Sequence, residues 1–208
     1  SDAAVFSFHP VKMITAGEGG AILTNDPSLF DSISLLRSHG VTKHAKLLKD
    51  NAEPWWYEQH TLGLNYRMTD LSGALGRSQL LKLNEFVERR NELASRYTEA
   101  FRDSPIKPPI IDSGALSSFH LYVVQIEFEM SAVDRRSLFE SLAEREIGLN
   151  VHYIPIYKQP YYQKLLGTDY QLPKAEEYYR CCLTIPLYTK LSRNDQDKVI
   201  SELLRHYE

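Results

Sequence analysis

A single lysine, Lys12, stands in the run Ser7-Phe8-His9-Pro10-Val11-Lys12-Met13-Ile14-Thr15-Ala16-Gly17-Glu18-Gly19-Gly20, preceded by a serine and followed by three glycines. Apolar stretches flank it at 3–8 and 21–24. A lysine held in apolar surroundings loses solvation, so its pKa falls and the neutral, nucleophilic amine becomes accessible. That is what a Schiff base with an aldehyde requires. Hydroxyls and exposed backbone amides nearby suit a phosphate. Pyridoxal 5′-phosphate carries both an aldehyde and a phosphate. Residue types alone leave a second reading open, a surface lysine in a Gly-rich hairpin.

Other residues carry weaker signals. Asn65 by itself reads as a turn residue. Arg67, two positions on, can grip a diphosphate or carboxylate bidentately, or can simply be exposed. His152 lies beside Tyr153 in an apolar stretch, where a histidine is more often a satisfied structural residue. His39, His44 and His60 fall in loops, and no histidine pair has metal-ligand spacing. Cys181 and Cys182 are adjacent, a poor geometry for a disulfide and unlike any zinc spacing. There is no Gly-x-Ser-x-Gly, no Walker loop and no paired-carboxylate pattern.

The elements that must position these residues follow from periodicity. Residues 3–8 read as a buried strand that starts as though mid-sheet, with no turn or cap before it, and 21–24 as a second strand. Asn25-Asp26-Pro27-Ser28 opens a helix that ends near Ser38-His39-Gly40. Residues 41–65, with Pro54, Trp55, Trp56 and Gly63, read as a surface excursion anchored by aromatics. From Thr69, which can cap, to about residue 102 there is no proline, and Leu75, Leu83, Val87, Leu93, Tyr97 and Phe101 keep helical spacing. This predicts one long connecting helix, whose other face (Lys82, Glu85, Glu88, Arg89, Arg90, Glu92, Arg96) reads as solvated. After a proline-rich turn, 120–129 alternates as a strand, and Asp134 caps a helix through Arg145. Residues 148–153 read as a strand, and helices near 174–182 and 193–207 close the chain. Strand, helix, strand, helix makes a small α+β lobe.

Composition bounds the class. At 208 residues the chain holds one to two domains, given about 150 residues per domain. With 43% hydrophobic and 25% charged residues it is globular, not disordered or fibrous. A net charge of -3 gives no electrostatic reason to expect nucleic acid or an anionic membrane. No apolar run approaches the roughly 20 residues that span a bilayer, and the N-terminus lacks the basic flank of a signal peptide. The expected compartment is a reducing cytoplasm.

The run SFHPVKMITAGEGG resembles, nearly position for position, the lysine segment of the DegT/DnrJ/EryC1/StrS family of sugar aminotransferases. LRSHG at 36–40, LGLNYRMTDLSGALGRSQL at 62–80, VHYIPIYKQPYY at 151–162 and CLTIPLYTKLSRNDQDKVI at 182–200 resemble that family's later blocks, in order. The resemblance covers essentially the whole chain. It implies an α/β fold, a fold-type I PLP-dependent transferase. Residues 1–103 would be the C-terminal part of the large domain with its long helix, and 104–208 a small α+β C-terminal domain. VHYIPIYKQPYYQ and NYRMTD look most like the branch that makes pseudaminic-acid precursors. That branch moves an amino group from glutamate to C4 of a UDP-linked 4-keto-6-deoxy sugar, giving a UDP-4-amino-4,6-dideoxy-N-acetyl-altrosamine type of product.

Residue roles are implied by the same resemblance. Lys12 matches the lysine that joins pyridoxal 5′-phosphate and then serves as general base and acid. Ser7 matches a phosphate-contacting hydroxyl. Asn65 matches an asparagine that reaches the phosphate of the neighbouring subunit, which implies a homodimer with a shared active site. Arg67 resembles a residue near the nucleotide sugar. His152 and Tyr153 match a pair at the sugar site, and Tyr157 stands where many members have a second histidine. Members are nearly twice this length, with further cofactor-binding groups upstream. The 208 residues alone are therefore expected neither to hold the cofactor tightly nor to transaminate. A dehydratase using pyridoxamine phosphate is opposed by Lys12, since those enzymes carry histidine there. A non-catalytic association fragment is the remaining reading.

Overall fold

The computed structural model describes residues 1–44, 47–49, 53–128 and 133–207. The chain divides into two compact units, Ser1–Leu83 and Asn84–Glu208. In the first, β1 (Ala3–Ser7) and β2 (Gly20–Thr24) pair antiparallel, with Ala3 opposite Thr24 and Ser7 opposite Gly20. They form a two-stranded sheet. Because no further strand pairs with them among the described residues, the expectation of a buried first strand does not hold. Val5 is 77% exposed and Leu23 60%. Helix α1 (Pro27–Leu36) starts where the Asn-Asp-Pro-Ser signal places it, Asp26 accepting from the N–H groups of Ser28 and Leu29. The 41–65 excursion contains a two-residue ladder, β3 (Val41–Thr42) against β4 (Glu58–Gln59). Parts of the excursion, 45–46 and 50–52, lie outside the described residues.

The single long helix expected over 69–102 is two helices. Thr69 caps α2 (Asp70–Leu80), and after Leu81 and Lys82 the chain continues as α3 (Leu83–Ala100). The N–H of Lys82 turns to the carbonyl of Gln79 at 3.0 Å, an i→i−3 bond that closes α2. Neither glycine nor proline marks the spot, so periodicity alone runs straight through it. The boundary between the two compact units falls there too, after Leu83. The physical reason is that α3 commits Leu93, Ala94 and Tyr97 to the core of the second unit.

That second unit is built on an antiparallel sheet in the order β5 (Ile106–Lys107), β6 (Tyr122–Ile126), β7 (Cys182–Ile185). On β6 the alternation is realised, Tyr122, Val124 and Ile126 facing the core. The end of the predicted 120–129 strand, Glu129, lies outside the described residues. Helix α4 (Arg135–Glu144) is capped by Asp134 as expected and contributes Leu138 and Leu142. Helices α5 (Pro160–Leu166) and α6 (Pro173–Cys181) follow, and α7 (Arg193–Leu204) adds Val199 and Leu203 to the core. Two further readings are corrected. Residues 148–153 form a single bridge, Asn150 to Thr184, and not a strand. The last residue expected in the 174–182 helix instead opens β7, whose four residues are all buried.

Arg90 also departs from the solvated face assigned to it. It is buried, and its Nη1 donates to the carbonyls of Phe119 (2.9 Å), His120 (3.3 Å) and Leu187 (2.9 Å). Burial lowers its pKa. Tyr97 and Tyr122 are buried with their hydroxyls bonded to the Pro186 carbonyl and the Thr98 hydroxyl. Burial pushes the Tyr122 phenol up to about 12.

Candidate functional site

Lys12 sits in the long connection between β1 and β2, half-buried. Backbone bonds shape this loop: Phe8 N–H to Gly19 O (2.9 Å), Ala16 N–H to Phe8 O (3.0 Å), and Lys12 N–H to His9 O (2.9 Å). Thr15 locks the return, its hydroxyl donating to Phe8 O and accepting from Gly17 N–H. Ser7 ends β1 on the same loop, its hydroxyl accepting weakly from His9 N–H at 3.4 Å. An amine and a hydroxyl thus stand five residues apart at one end of a hairpin.

Asn65 and Arg67 are placed by a backbone strap. Leu64 N–H donates to Leu36 O (2.7 Å), His39 N–H to Leu64 O (2.9 Å), Tyr66 N–H to Arg37 O (2.9 Å) and His60 N–H to Gly40 O (2.8 Å). Asn65 itself bridges Ser38. The strap closes only because Gly40 (φ 69) takes a left-handed conformation and Gly63 presents no side chain. The two motifs LRSHG and LGLNYR therefore meet in space. Arg67 is exposed and lines an open groove of about 760 Å³ with Val5, Ile22, Phe30 and Arg37. Ser7, Lys12 and Asn65 are not among its lining residues.

The other three candidates belong to the second unit. The backbone of Asn150 pairs with Thr184 on β7, and two residues on the Nδ1 of His152 lies 2.8 Å from the Thr184 hydroxyl. The imidazole meets the Tyr153 ring edge-on, centroids 4.5 Å apart, while Tyr153 is 67% exposed. Tyr157 differs. It is buried, its hydroxyl donates to Glu176 Oε1 at 2.8 Å, and its ring packs edge-on against Tyr170. Burial raises its pKa first, and the Glu176 bond adds to that. Lys158 pairs with the other oxygen of Glu176 at 2.6 Å. Tyr157 therefore reads as a packed residue that ties the 156–158 turn to α6, a role the family pattern did not indicate. Residue spacing also gave no sign of Thr184 or Glu176, because their partners lie 32 and 19 positions away.

Among the described residues no cluster of His, Cys, Asp or Glu could hold a metal, and both cysteines are free and buried. No helix among them is long and apolar enough to cross a membrane.

This architecture is that of solved sugar aminotransferases, the fold-type I PLP-dependent transferases. Helicobacter pylori PseC, an aminotransferase involved in the biosynthesis of pseudoaminic acid, superposes with a TM-score of 0.88 at 33% identity, covering 100% of this chain and 53% of that one. The putative sugar aminotransferase Spr1654 from Streptococcus pneumoniae, in its PMP form, gives 0.84 at 31% identity, covering 97% and 52%. The sequence model of the DegT/DnrJ/EryC1/StrS aminotransferase family matches residues 1–204, and the chain belongs to that family. Among curated relatives, the Bacillus subtilis spore coat polysaccharide biosynthesis protein SpsC is 39% identical, over 96% of this chain and 52% of its own length. A UDP-4-amino-4,6-dideoxy-N-acetyl-beta-L-altrosamine transaminase from Campylobacter jejuni is 40% identical, over 94% and 50%. The chain spans about half the length of the curated relatives it matches.

Proposed function

We propose that this chain carries the lysine half of a pyridoxal-phosphate-dependent aminotransferase. Its reaction moves an amino group from glutamate to C4 of a UDP-linked 4-keto-6-deoxy sugar, in the cytoplasm. The observation that carries the reading is Lys12, half-buried in the β1–β2 connection that follows Ser7, in a chain whose relatives include named transaminases. The donor set fits pyridoxal phosphate: an amine for its aldehyde, and a hydroxyl for its phosphate. When bound, that group supplies the electron sink of transamination.

The chain's own residues then have separable tasks. Lys12 Nζ takes a proton from the carbon bearing the donor's nitrogen and returns it as a general acid. Ser7 holds phosphate oxygen. Asn65, displayed by the strap, reaches the phosphate held by a second copy, so the working unit is a homodimer. Arg67 meets the diphosphate of the nucleotide sugar through its planar fork. His152 and Tyr153 contact the sugar, while the Tyr157 hydroxyl is held by Glu176.

Lys12→Ala in the whole enzyme tests the assignment. Turnover should vanish while the melting temperature stays within error, and borohydride should no longer fix pyridoxal phosphate to the peptide spanning residue 12. An active Lys12→Ala enzyme overturns the reading. A panel of UDP- and dTDP-linked 4-keto sugars, with glutamate as donor, separates this substrate from those of other nucleotide-sugar aminotransferases. The 208 residues by themselves should show no comparable cofactor affinity.

A further inference from the structure

We propose that Thr15 is a positioning residue for Lys12: its hydroxyl closes the neck of the loop that carries the lysine and so fixes where the amine stands. This rests on, and deepens, the reading above in which Lys12 Nζ moves the proton. The Thr15 hydroxyl donates to Phe8 O at 3.0 Å and accepts from Gly17 N–H at 2.9 Å. Neither role can reverse, because a carbonyl only accepts and a backbone N–H only donates. Phe8 O also takes the N–H of Ala16 at 3.0 Å, and Phe8 N–H reaches Gly19 O at 2.9 Å. Phe8 is thus the post on one side of the neck, and residues 15–19 close on it from the other.

Local sequence and packing both serve this closure. A threonine hydroxyl that accepts from the N–H two positions on makes a compact turn, and branching at Cβ leaves χ1 little freedom. Gly17 follows at φ 80, a left-handed value that glycine takes without strain. Ala16, between them, is 1% exposed, the one buried apolar side chain of the first unit among the described residues. A Cβ on Gly76 would stand 3.4 Å from Ala16 Cβ, and one on Gly19 would stand 2.8 Å from Met68 Sδ. The neck is therefore seated against Met68 and α2, the stretch of chain that follows Asn65 and Arg67. Lys12 rides beyond the neck on irregular backbone, with its N–H on His9 O at 2.9 Å. No ladder of a strand or helix absorbs a shift there, so widening the neck moves the lysine.

Hydrogen exchange at single amides of the whole enzyme, free of cofactor, reads the neck without reference to turnover. Thr15→Val removes the hydroxyl and keeps the branched shape, whereas Thr15→Ser keeps the hydroxyl. In Thr15→Val the Gly17 and Ala16 amides should exchange about 5- to 100-fold faster, the loss of two hydrogen bonds. The Leu64 and Tyr66 amides of the strap should keep their wild-type rates, and Thr15→Ser should hold the wild-type pattern throughout. In the cofactor-loaded enzyme Thr15→Val should lower kcat about ten- to hundredfold, the effect of a misplaced reacting group. KM for the nucleotide sugar should change little, because Lys12 moves a proton and does not hold the sugar. Thr15→Ser should recover most of the rate. Unchanged Gly17 exchange in Thr15→Val overturns the proposal. So does a wild-type Gly17 amide that exchanges at the unprotected rate, a result that stands even should Thr15→Val fail to fold. Wild-type kcat in Thr15→Val, where Lys12→Ala is inactive, overturns it and leaves the proposed function standing. An active Lys12→Ala enzyme overturns both.

Discussion

Gly63→Ala is the sharpest probe of how the first unit holds Asn65 and Arg67. A Cβ at Gly63 would stand 2.1 Å from Gly40 N, 2.4 Å from His39 C and 2.8 Å from Leu36 O. All three neighbours are backbone, and none can swing aside as a side-chain tip would. The strap must open instead. Four hydrogen bonds cross it, from His39, His60, Leu64 and Tyr66. Each is worth about 0.5–1.5 kcal/mol net, so losing two or three costs about 2–4 kcal/mol. Against a typical domain stability of about 5–15 kcal/mol, that is a large fraction.

Urea denaturation reads the effect in the right place, because both tryptophans, Trp55 and Trp56, belong to the first unit. With m of about 2 kcal/mol/M, the fluorescence midpoint should fall by about 1–2 M. Gly73→Ala supplies the control. Gly73 lies inside α2, where an added Cβ meets nothing within 4 Å. There the same chemical change should stabilise by about 0.5–1 kcal/mol through helix propensity. Opposite signs for one type of substitution are the signature. A Gly63→Ala midpoint at or above the wild-type value would refute the reasoning.

Three further outcomes follow from the second unit. Arg90→Met should lower its stability by about 2–4 kcal/mol in a far-UV melt, because three carbonyls at 2.9–3.3 Å lose their common donor in a buried site. Asp134, which caps α4, has its pKa held below the ordinary 3.8, first by the Ser137 N–H and then by the Ser137 hydroxyl. Its contribution is complete above 3.8 and disappears as pH falls through the lower folded value, so Asp134→Asn should flatten the acid limb of a stability–pH curve. Tyr157→Phe should lower the melting temperature and leave KM for the nucleotide sugar unchanged, because the hydroxyl faces Glu176. A raised KM would put the Tyr157 hydroxyl itself on the sugar.

Much of this was legible in the sequence where the determinants are local. Asp26, Thr69 and Asp134 cap the helices they were expected to cap, because an N-cap depends on residues two or three positions away. The Lys12 loop lies between two strands as its flanking apolar stretches imply. What escaped was non-local. The run Cys182–Ile185 becomes a strand because Gln125 to Tyr122 lie alongside it, some 57 to 63 positions earlier in the chain, and a short apolar run does not announce its partner. Arg90 has the composition of a solvated face, yet the carbonyls that draw it inward arrive from Phe119 and Leu187. Tyr157 fits the family's block, but Glu176, which claims its hydroxyl, lies a helix away.

The candidate residues themselves share a structural circumstance. Ser7, Asn65, Arg67 and Tyr153 are exposed, and Lys12 and His152 are half-buried, so burial cannot fix where they point. Side chains on exposed irregular backbone are held either by their own bonds or by the path of the chain beneath them. Here the chain path does most of it, through the β1–β2 loop bonds, the 36–40 strap and the Asn150–Thr184 bridge. Truncating an exposed candidate side chain should therefore remove chemistry and leave the fold, because little packs on it. Changing Gly40 or Gly63 should displace chemistry that those residues never perform. The placement of Asn65 and Arg67 is set by residues whose value lies in the space they leave, and a search confined to nucleophiles, acids and bases passes over them.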